Sequence, residues 1–255
     1  MTSLLETCGL SKTFGGLKAV QNVDLQVGAN RIVSVIGPNG AGKTTFFNCL
    51  SGIYRANSGR TLLAGVDITR RAPHEVSRLG LARTFQNIRL FPEMTVLENV
   101  QVAQFQHRSL SPLPLLLHAR RYREECARTR DEAMAQLDFV GLGRHADSIA
   151  GNLAYGLQRR LEIARAMATK PRLLLLDEPA AGMNPQETVE MVQLISRLRE
   201  GGLAILLIEH HMKLVMTISD DILVLDHGVP IAHGAPEKIR NDPAVIKAYL
   251  GEEAS

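Results

Sequence analysis

The stretch that decides the fold is Arg31-Ile32-Val33-Ser34-Val35-Ile36, followed by Gly37-Pro38-Asn39-Gly40-Ala41-Gly42-Lys43-Thr44-Thr45. The first six residues form an apolar, β-branched run, the composition of a strand buried on both faces. The next nine match G-x-x-x-x-G-K-[ST] in full, and residues 43–51 then read as a helix. Strand, glycine-rich turn and helix in that order build a phosphate cradle. Glycines let the backbone wrap closely and aim its N–H groups inward, while the helix points the positive end of its dipole at the same place. Lys43 can reach β- and γ-phosphates, and the Thr44 hydroxyl can ligate Mg²⁺.

Three more short apolar runs lie downstream, at residues 172–176, 203–208 and 222–225, with helical patterns between them. Buried strands alternating with helices predict a parallel sheet covered on both faces. Upstream, Val23, Leu25 and Val27 alternate with polar residues, as in a strand with one buried face. The run Leu173-Leu174-Leu175-Leu176 ends in Asp177-Glu178. Asp177 should emerge at the C-terminal end of its strand, where such sheets bind ligands, and would hold Mg²⁺ through water. Glu178 comes next and faces differently, so it can polarise an attacking water.

Helix starts are legible locally. Asn184, Pro185 and Glu187 form a capping box with proline in the first turn; Thr95 and Glu98 repeat the box, and Asp242-Pro243 opens a last short helix. Residues of about 88 to 165 lack a strong strand signal. They hold a helix over 95–106, a proline-interrupted connection at 109–114 and a charged helical stretch at 118–139. This reads as a helical lobe inserted between two halves of an α/β core.

Composition narrows the class without naming the chemistry. The 255 residues are 45 % hydrophobic and 22 % charged, so wholesale disorder is excluded. A formal net charge of +3 singles out neither nucleic acid nor anionic lipid. No run approaches the roughly 18 apolar residues of a membrane-spanning helix. The start, MTSLLETCGL, lacks a basic region followed by a long apolar run, so no signal peptide is expected. Three scattered cysteines fit a reducing compartment and no metal cluster. A cytosolic globular protein is the expectation.

A third stretch carries a family resemblance. Asn152-Leu153-Ala154-Tyr155-Gly156-Leu157-Gln158-Arg159-Arg160, placed shortly before the Asp177 strand, resembles the signature of the ATP-binding subunits of ABC transporters, L-S-G-G-Q followed by Q and R. The resemblance covers nearly the whole chain. It implies an α/β P-loop NTPase with a RecA-like core, an N-terminal antiparallel β region and an inserted helical subdomain. The nucleotide-binding core would be residues 1–87 and 166–227, the helical subdomain 88–165 and a C-terminal segment 228–255. ATP and Mg²⁺ are the implied ligands. Phe14, with Val20, lies where the family stacks adenine, beside the phosphate loop from Gly37 to Thr45. Gln86, in Arg83-Thr84-Phe85-Gln86, resembles the Q-loop glutamine that senses water and Mg²⁺, so Thr44, Gln86 and Asp177 form the implied metal set. His210 resembles the switch histidine that contacts the γ-phosphate. Lys43, Gln86, Glu178 and His210 are thus the implied catalytic residues. Leu153, Ala154, Tyr155, Gly156, Leu157 and Gln158 would meet the ATP held by the opposite subunit. Three positions depart from the family pattern: Ala154 replaces a serine, Leu157 a glutamine or acid, and Asn184 the D-loop aspartate.

Within the family, Thr13 to Val20, the Ala-Tyr-Gly signature, residues 178–185, residues 208–216 and the tail at 231–251 resemble the ATPases of high-affinity branched-chain amino acid importers. The segment between Gln106 and Tyr122 resembles that of the larger of their two ATPases. The implied partners are transmembrane permease subunits, a second ATPase subunit (the same chain or a paralogue) and, indirectly, an external solute-binding protein, with no nucleic acid. The implied location is the cytoplasmic face of the cell membrane, held peripherally. Other readings stand beside this one: an ATPase for urea import or lipopolysaccharide export, a soluble non-transport ABC protein acting on ribosomes or DNA, or a non-catalytic regulator. The soluble kind usually fuses two ATPase units or carries long coiled coils, whereas here there is one phosphate loop and no basic stripe. Glu178 and His210 weigh against the regulator.

Overall fold

The computed structural model describes residues 3–104 and 119–250, with side chains described for 3–104 and 124–249. The expected connection at 109–114, His118 and most of the segment between Gln106 and Tyr122 lie outside the described residues. The chain divides into two compact units, Met1–Gln86 with Arg172–Ser255, and Asn87–Pro171.

The first unit holds both sheets. Strands β1 (Ser3–Phe14), β2 (Leu17–Gly28), β4 (Ser58–Leu63) and β5 (Val66–Asp67) form an antiparallel sheet in the order β2-β1-β4-β5. The other sheet runs β10 (Val229–Gly234), β9 (Asp221–Asp226), β3 (Ile32–Ile36), β8 (Ala204–Ile208), β7 (Leu173–Asp177) and β6 (Leu81–Arg83). It is parallel except for β10, which folds back on β9. Residues 32–36, 173–177 and 204–208 are buried throughout, as the unbroken apolar runs require of strands covered on both faces.

Two cores confirm that covering. On one side Val33, Val35, Leu175 and Leu206 share a cluster with Leu5, Val23 and Leu25 of the antiparallel sheet and with Phe46 and Phe47. The two phenylalanines belong to helix α1 (Lys43–Leu50) and are fully buried, so α1 is anchored in the core directly behind the phosphate loop. Burying each ring is worth roughly 1.5–3 kcal/mol. On the other side Ile36, Ile222 and Val224 meet Val215, Ile239 and Val245. The unit also carries α2 (Pro73–Arg78).

The second unit is helical among its described residues, with α3 (Val96–Gln104), α4 (Ala119–Phe139), α5 (Tyr155–Ala168), two short 3₁₀ turns and one isolated bridge between Thr95 and Ile149. Helix α5 packs on both α3 and α4. Helix α3 begins with the expected box: Thr95 donates its N–H (2.8 Å) and its hydroxyl (3.0 Å) to Glu98, and the Glu98 N–H returns a bond of 3.1 Å. Those bonds hold the Glu98 carboxyl below its ordinary pKa.

After Arg172 the chain returns to the first unit with β7, and then α6 (Pro185–Glu200), α7 (Met212–Ile218), α8 (Pro236–Arg240) and α9 (Pro243–Leu250). Asn184 accepts a bond from the Glu187 N–H at 2.9 Å and caps α6, while Asp242 accepts from the Ala244 N–H at the start of α9. The departure at Asn184 thus keeps a strong helix cap.

Candidate functional site

The phosphate loop is shaped by two glycines that nothing else can replace. Gly37 has φ +146°, and a Cβ there would stand 2.0 Å from the Leu225 carbonyl oxygen. Gly42 caps α1 with φ +96°, and its Cβ would stand 2.2 Å from the Ala19 carbonyl oxygen. The loop is pinned from outside as well, with the Gly228 N–H donating to the Ala41 carbonyl at 3.0 Å. Lys43 is almost buried, and its Nζ donates to the carbonyls of Gly37 (2.6 Å) and Pro38 (2.8 Å). The ammonium is therefore held along the loop's inner edge.

In front of the loop lies a cavity of about 440 Å³. Asn39, Gly40, Ala41, Gly42, Lys43, Thr44 and Thr45 line it, together with Phe14, Gln86, Glu178, Lys18, Ala19 and the turn at His227 and Gly228. Phe14 ends β1 with 41 % of its surface exposed. Its ring meets Tyr54 edge-on at 5.2 Å and has the Lys12 Nζ 4.9 Å from its centroid. A half-exposed aromatic face beside a cation suits a planar, electron-rich base. Val20 stands differently. Its side chain is wholly buried in the core, and its neighbours Lys18 and Ala19 are the ones that reach the cavity wall.

Opposite the loop, three expected residues converge. Gln86 donates from Nε2 to Glu178 Oε2 at 3.0 Å, and His210 Nδ1 lies 3.6 Å from Glu178 Oε1. Glu178 itself sits in the left-handed region at φ +49°, its N–H bonded to the Ile208 carbonyl at 2.9 Å. That strained backbone turns the Glu178 side chain away from its neighbour's direction and toward the cavity. Asp177 is buried at the end of β7, where its carboxylate pairs with Arg83.

The signature-like segment belongs to the second unit. Ala154 is the cap of α5, in extended conformation (φ −57°, ψ 150°), and offers no side-chain hydrogen bond. Leu153 and Gly156 are buried, Leu157 is half-buried and Tyr155 is 44 % exposed. Gln158 folds back to donate to the Leu153 carbonyl at 2.9 Å. The first intrahelical donors are those of Leu157 and Gln158, both to the Ala154 carbonyl, so the N–H groups of Tyr155 and Gly156 form the open end of the helix.

The ABC transporter family matches residues 20–181, more than half of the chain. The chain belongs to the ATP-binding subunits of ABC transporters. Over 98 % of both chains this ABC ATPase is 52 % identical to the high-affinity branched-chain amino acid transport ATP-binding protein BraF of Pseudomonas aeruginosa. It is equally similar, at the same coverage, to LivG of Escherichia coli K12, which carries the same description. Residues 229–255 match a branched-chain amino acid ATP-binding cassette transporter family. Among solved structures, a nucleotide-free ATP-binding cassette from an ABC transporter superposes with TM-score 0.85 at 33 % identity, covering 97 % of this chain and 99 % of its own. The ADP conformation of an ABC cassette gives the same score at 31 % identity, covering 98 % and 100 %. The α/β class with an antiparallel region, read from the sequence, is the fold found.

Each unit also holds buried charged residues that the sequence did not single out. Arg83 holds Asp177 at 2.9 Å. Glu209, buried, accepts from the Ala180 N–H (3.1 Å) and from the N–H groups of His210 (3.1 Å) and His211 (3.3 Å). It thereby ties the loop after Glu178 to the loop that presents His210. Arg159 is buried under the signature-like helix start, bonded to the Tyr155 hydroxyl at 2.7 Å and to Glu162 at 3.3 Å. For Arg83 and Glu209 the available signal was a charge at the end of an apolar strand run, whereas Arg159, between Gln158 and Arg160, carried no such signal.

No cluster of three or more His, Cys, Asp or Glu side chains forms a metal cage among the described residues. The Thr44 hydroxyl, Gln86 amide and Asp177 carboxylate are instead hard oxygen donors, the set that suits Mg²⁺ shared with phosphate. No helix among the described residues is long and apolar enough to cross a membrane.

Proposed function

We propose that this ABC ATPase powers the import of branched-chain amino acids, working as one of two ATPase subunits docked on membrane permeases at the cytoplasmic face, with an external solute-binding protein delivering the cargo. Identity of 52 % over nearly the whole length to BraF and LivG supports the cargo. The observation that carries the chemistry is the Glu178 carboxylate, which lines the same cavity as the phosphate loop, is held by Gln86 and has His210 beside it.

Adenine stacks on Phe14, and the triphosphate lies along the N–H groups of residues 39–45, at the positive end of α1. Lys43 and those N–H groups are aimed where negative charge grows as the γ-phosphoryl group passes to water. Glu178 orients the attacking water and draws its proton, and His210 contacts the γ-phosphate. Thr44, Gln86 and Asp177 would hold Mg²⁺, which would neutralise charge on the triphosphate. The start of α5, at residues 153–158, binds the ATP of the opposite subunit, so two ATPs join two subunits. Hydrolysis removes that bridge, and the helical unit around residues 88–165 passes the release to the permeases.

The test is Glu178→Gln, which keeps the shape and removes the base. Turnover should fall by about 10²–10⁴-fold while ATP binding persists and the ATP-bound dimer accumulates in size-exclusion chromatography. Wild-type phosphate release by that variant would overturn the assignment. Cells lacking this gene and carrying Glu178→Gln should fail to accumulate labelled leucine; uptake at the wild-type rate would refute the cargo.

A further inference from the structure

Arg83 ends the three-residue strand β6, three positions before Gln86, and its side chain is 5 % exposed. Its guanidinium reaches two elements at once. One amino group donates to Asp177 Oδ2 at 2.9 Å on β7, and the other donates to Asn48 Oδ1 (2.7 Å) on α1 and to Ser51 Oγ (3.0 Å), which caps the C-terminus of α1. The rings of Phe47 and Phe85 flank it, with centroids 5.6 and 5.0 Å away. A fourth contact closes the group, as the Asp177 N–H points to Thr84 Oγ1 at 3.4 Å.

These bonds join the three elements that carry the implied metal set. Thr44 stands on α1, Asp177 ends β7, and Gln86 follows β6. Arg83 is bonded to the first two elements and belongs to the third. A carboxylate buried at 4 % exposure needs a fixed counter-charge. Only a planar fork with several donors can supply that charge and still hold a helix side chain and the hydroxyl of the helix's C-cap. A lysine has the charge without the fork.

We propose that Arg83 is the positioning residue of the Mg²⁺ site, fixing Thr44, Asp177 and Gln86 relative to one another by tying α1, β6 and β7 together. This rests on the reading that Asp177 helps hold Mg²⁺, and it adds a residue that never touches the metal itself.

The experiment compares ATP affinity with Mg²⁺ and in EDTA, by equilibrium dialysis of labelled ATP against the full chain. It uses wild type, Arg83→Met, Arg83→Lys, Asn48→Ala and Asp177→Asn, with thermal melting of each. Wild type should bind ATP more tightly with Mg²⁺. Arg83→Met should lose about 10-fold or more of that gain, the usual cost of removing an outer partner of a metal ligand, with the EDTA affinity unchanged within about twofold. Arg83→Lys should restore part of the gain, and Asn48→Ala, which keeps the ion pair and cuts the tie to α1, should show a smaller loss. Should Arg83→Met not fold, the Arg83→Lys and Asn48→Ala pair decides. Variants that melt earlier yet keep the full Mg²⁺ gain would make Arg83 a structural staple and overturn the proposal. Asp177→Asn keeping the gain would instead overturn the metal reading, independently of Arg83.

Discussion

Two helix starts in this protein are read as phosphate sites, and they are built in opposite ways. Helix α1 is entered through Gly42 in the left-handed region, with its lysine bonded to carbonyls of its own loop and two fully buried phenylalanines behind it. Helix α5 is entered through Ala154 in an extended conformation, with no side-chain cap and an exposed tyrosine at its first position. The first site lies within one unit, its loop shaped by its own backbone contacts and the core behind it. The second presents donors that need an acceptor from elsewhere. That contrast fits the dimer-bridging ATPase proposed above: one end would grip the nucleotide, and the other would gain a partner only when a second chain brought its ATP.

The sharpest way to break the contrast is Gly42→Ala. The new Cβ would meet the Ala19 carbonyl oxygen at 2.2 Å with the backbone held at φ +96°. Moving the loop should cost at least about 2 kcal/mol of stability, because left-handed strain and a backbone clash add. Misaiming two or so phosphate-binding N–H groups should weaken ATP binding by roughly 100-fold. Calorimetric titration with ATP and a thermal melt check both numbers. Near-normal affinity would mean that the loop is not preset by its glycines.

The first helix start was legible in the sequence, and the second was legible only by likeness. The motif at residues 37–45 is local: strand, glycines, lysine and helix are contiguous, and so are the boxes at Thr95 and Asn184. The buried runs that became β3, β7, β8 and β9 are local in the same sense. What escaped depends on distant partners. Strand β6 is three residues long and exists because Leu81, Ala82 and Arg83 pair with Leu173, Leu174 and Leu175. Arg83 acquires its role from Asp177, 94 positions away, and Glu209 from Ala180, 29 positions away. Val20 shows the converse limit. It shares a stretch with Phe14, yet its side chain is in the core while Lys18 and Ala19 line the cavity; plain alternation would put Lys18 and Val20 on one face, and the ladder shifts register between their partners Thr13 and Lys12.

A gentler change sharpens the contrast by making α5 more like a conventional capped helix. Ala154 already has the extended backbone that a capping serine uses, so Ala154→Ser should need no rearrangement. The added hydroxyl should stabilise the helix start by about 1 kcal/mol, raising Tm by about 2–4 °C. If the start of α5 meets the opposite subunit's ATP, the ATP-bound dimer of Glu178→Gln should also tighten by about 3–10-fold, the effect of one more donor. Stabilisation without tighter dimerisation would separate the cap from the interface and weaken the assignment of residues 153–158.

The smallest effect tests whether the preset site is insulated from the rest of its unit. His233, on β10 at the far end from Gly228, donates to Asp221 at 2.7 Å. That bond raises the imidazole pKa above its ordinary 6.5, against partial burial and the nearby Lys238 charge, which lower it. The folded state therefore holds the proton more tightly than the unfolded chain. The resulting stability is fully present below about pH 6.5 and is lost as pH rises through the higher folded-state value. Both side chains are more than a third exposed, so solvent screening keeps the contribution small. Asp221→Asn should lower Tm by about 1–3 °C at pH 5.5 and by less at pH 8.5, because a weakly coupled surface pair shifts a domain of this size little. ATP affinity should be the same in variant and wild type at both pH values, since neither the loop from Gly37 to Thr45 nor the Glu178 cluster bonds to this pair. A pH-dependent change in ATP affinity on that substitution would show that the β9–β10 hairpin, whose turn at His227 and Gly228 borders the cavity, transmits its charge state to the phosphate loop.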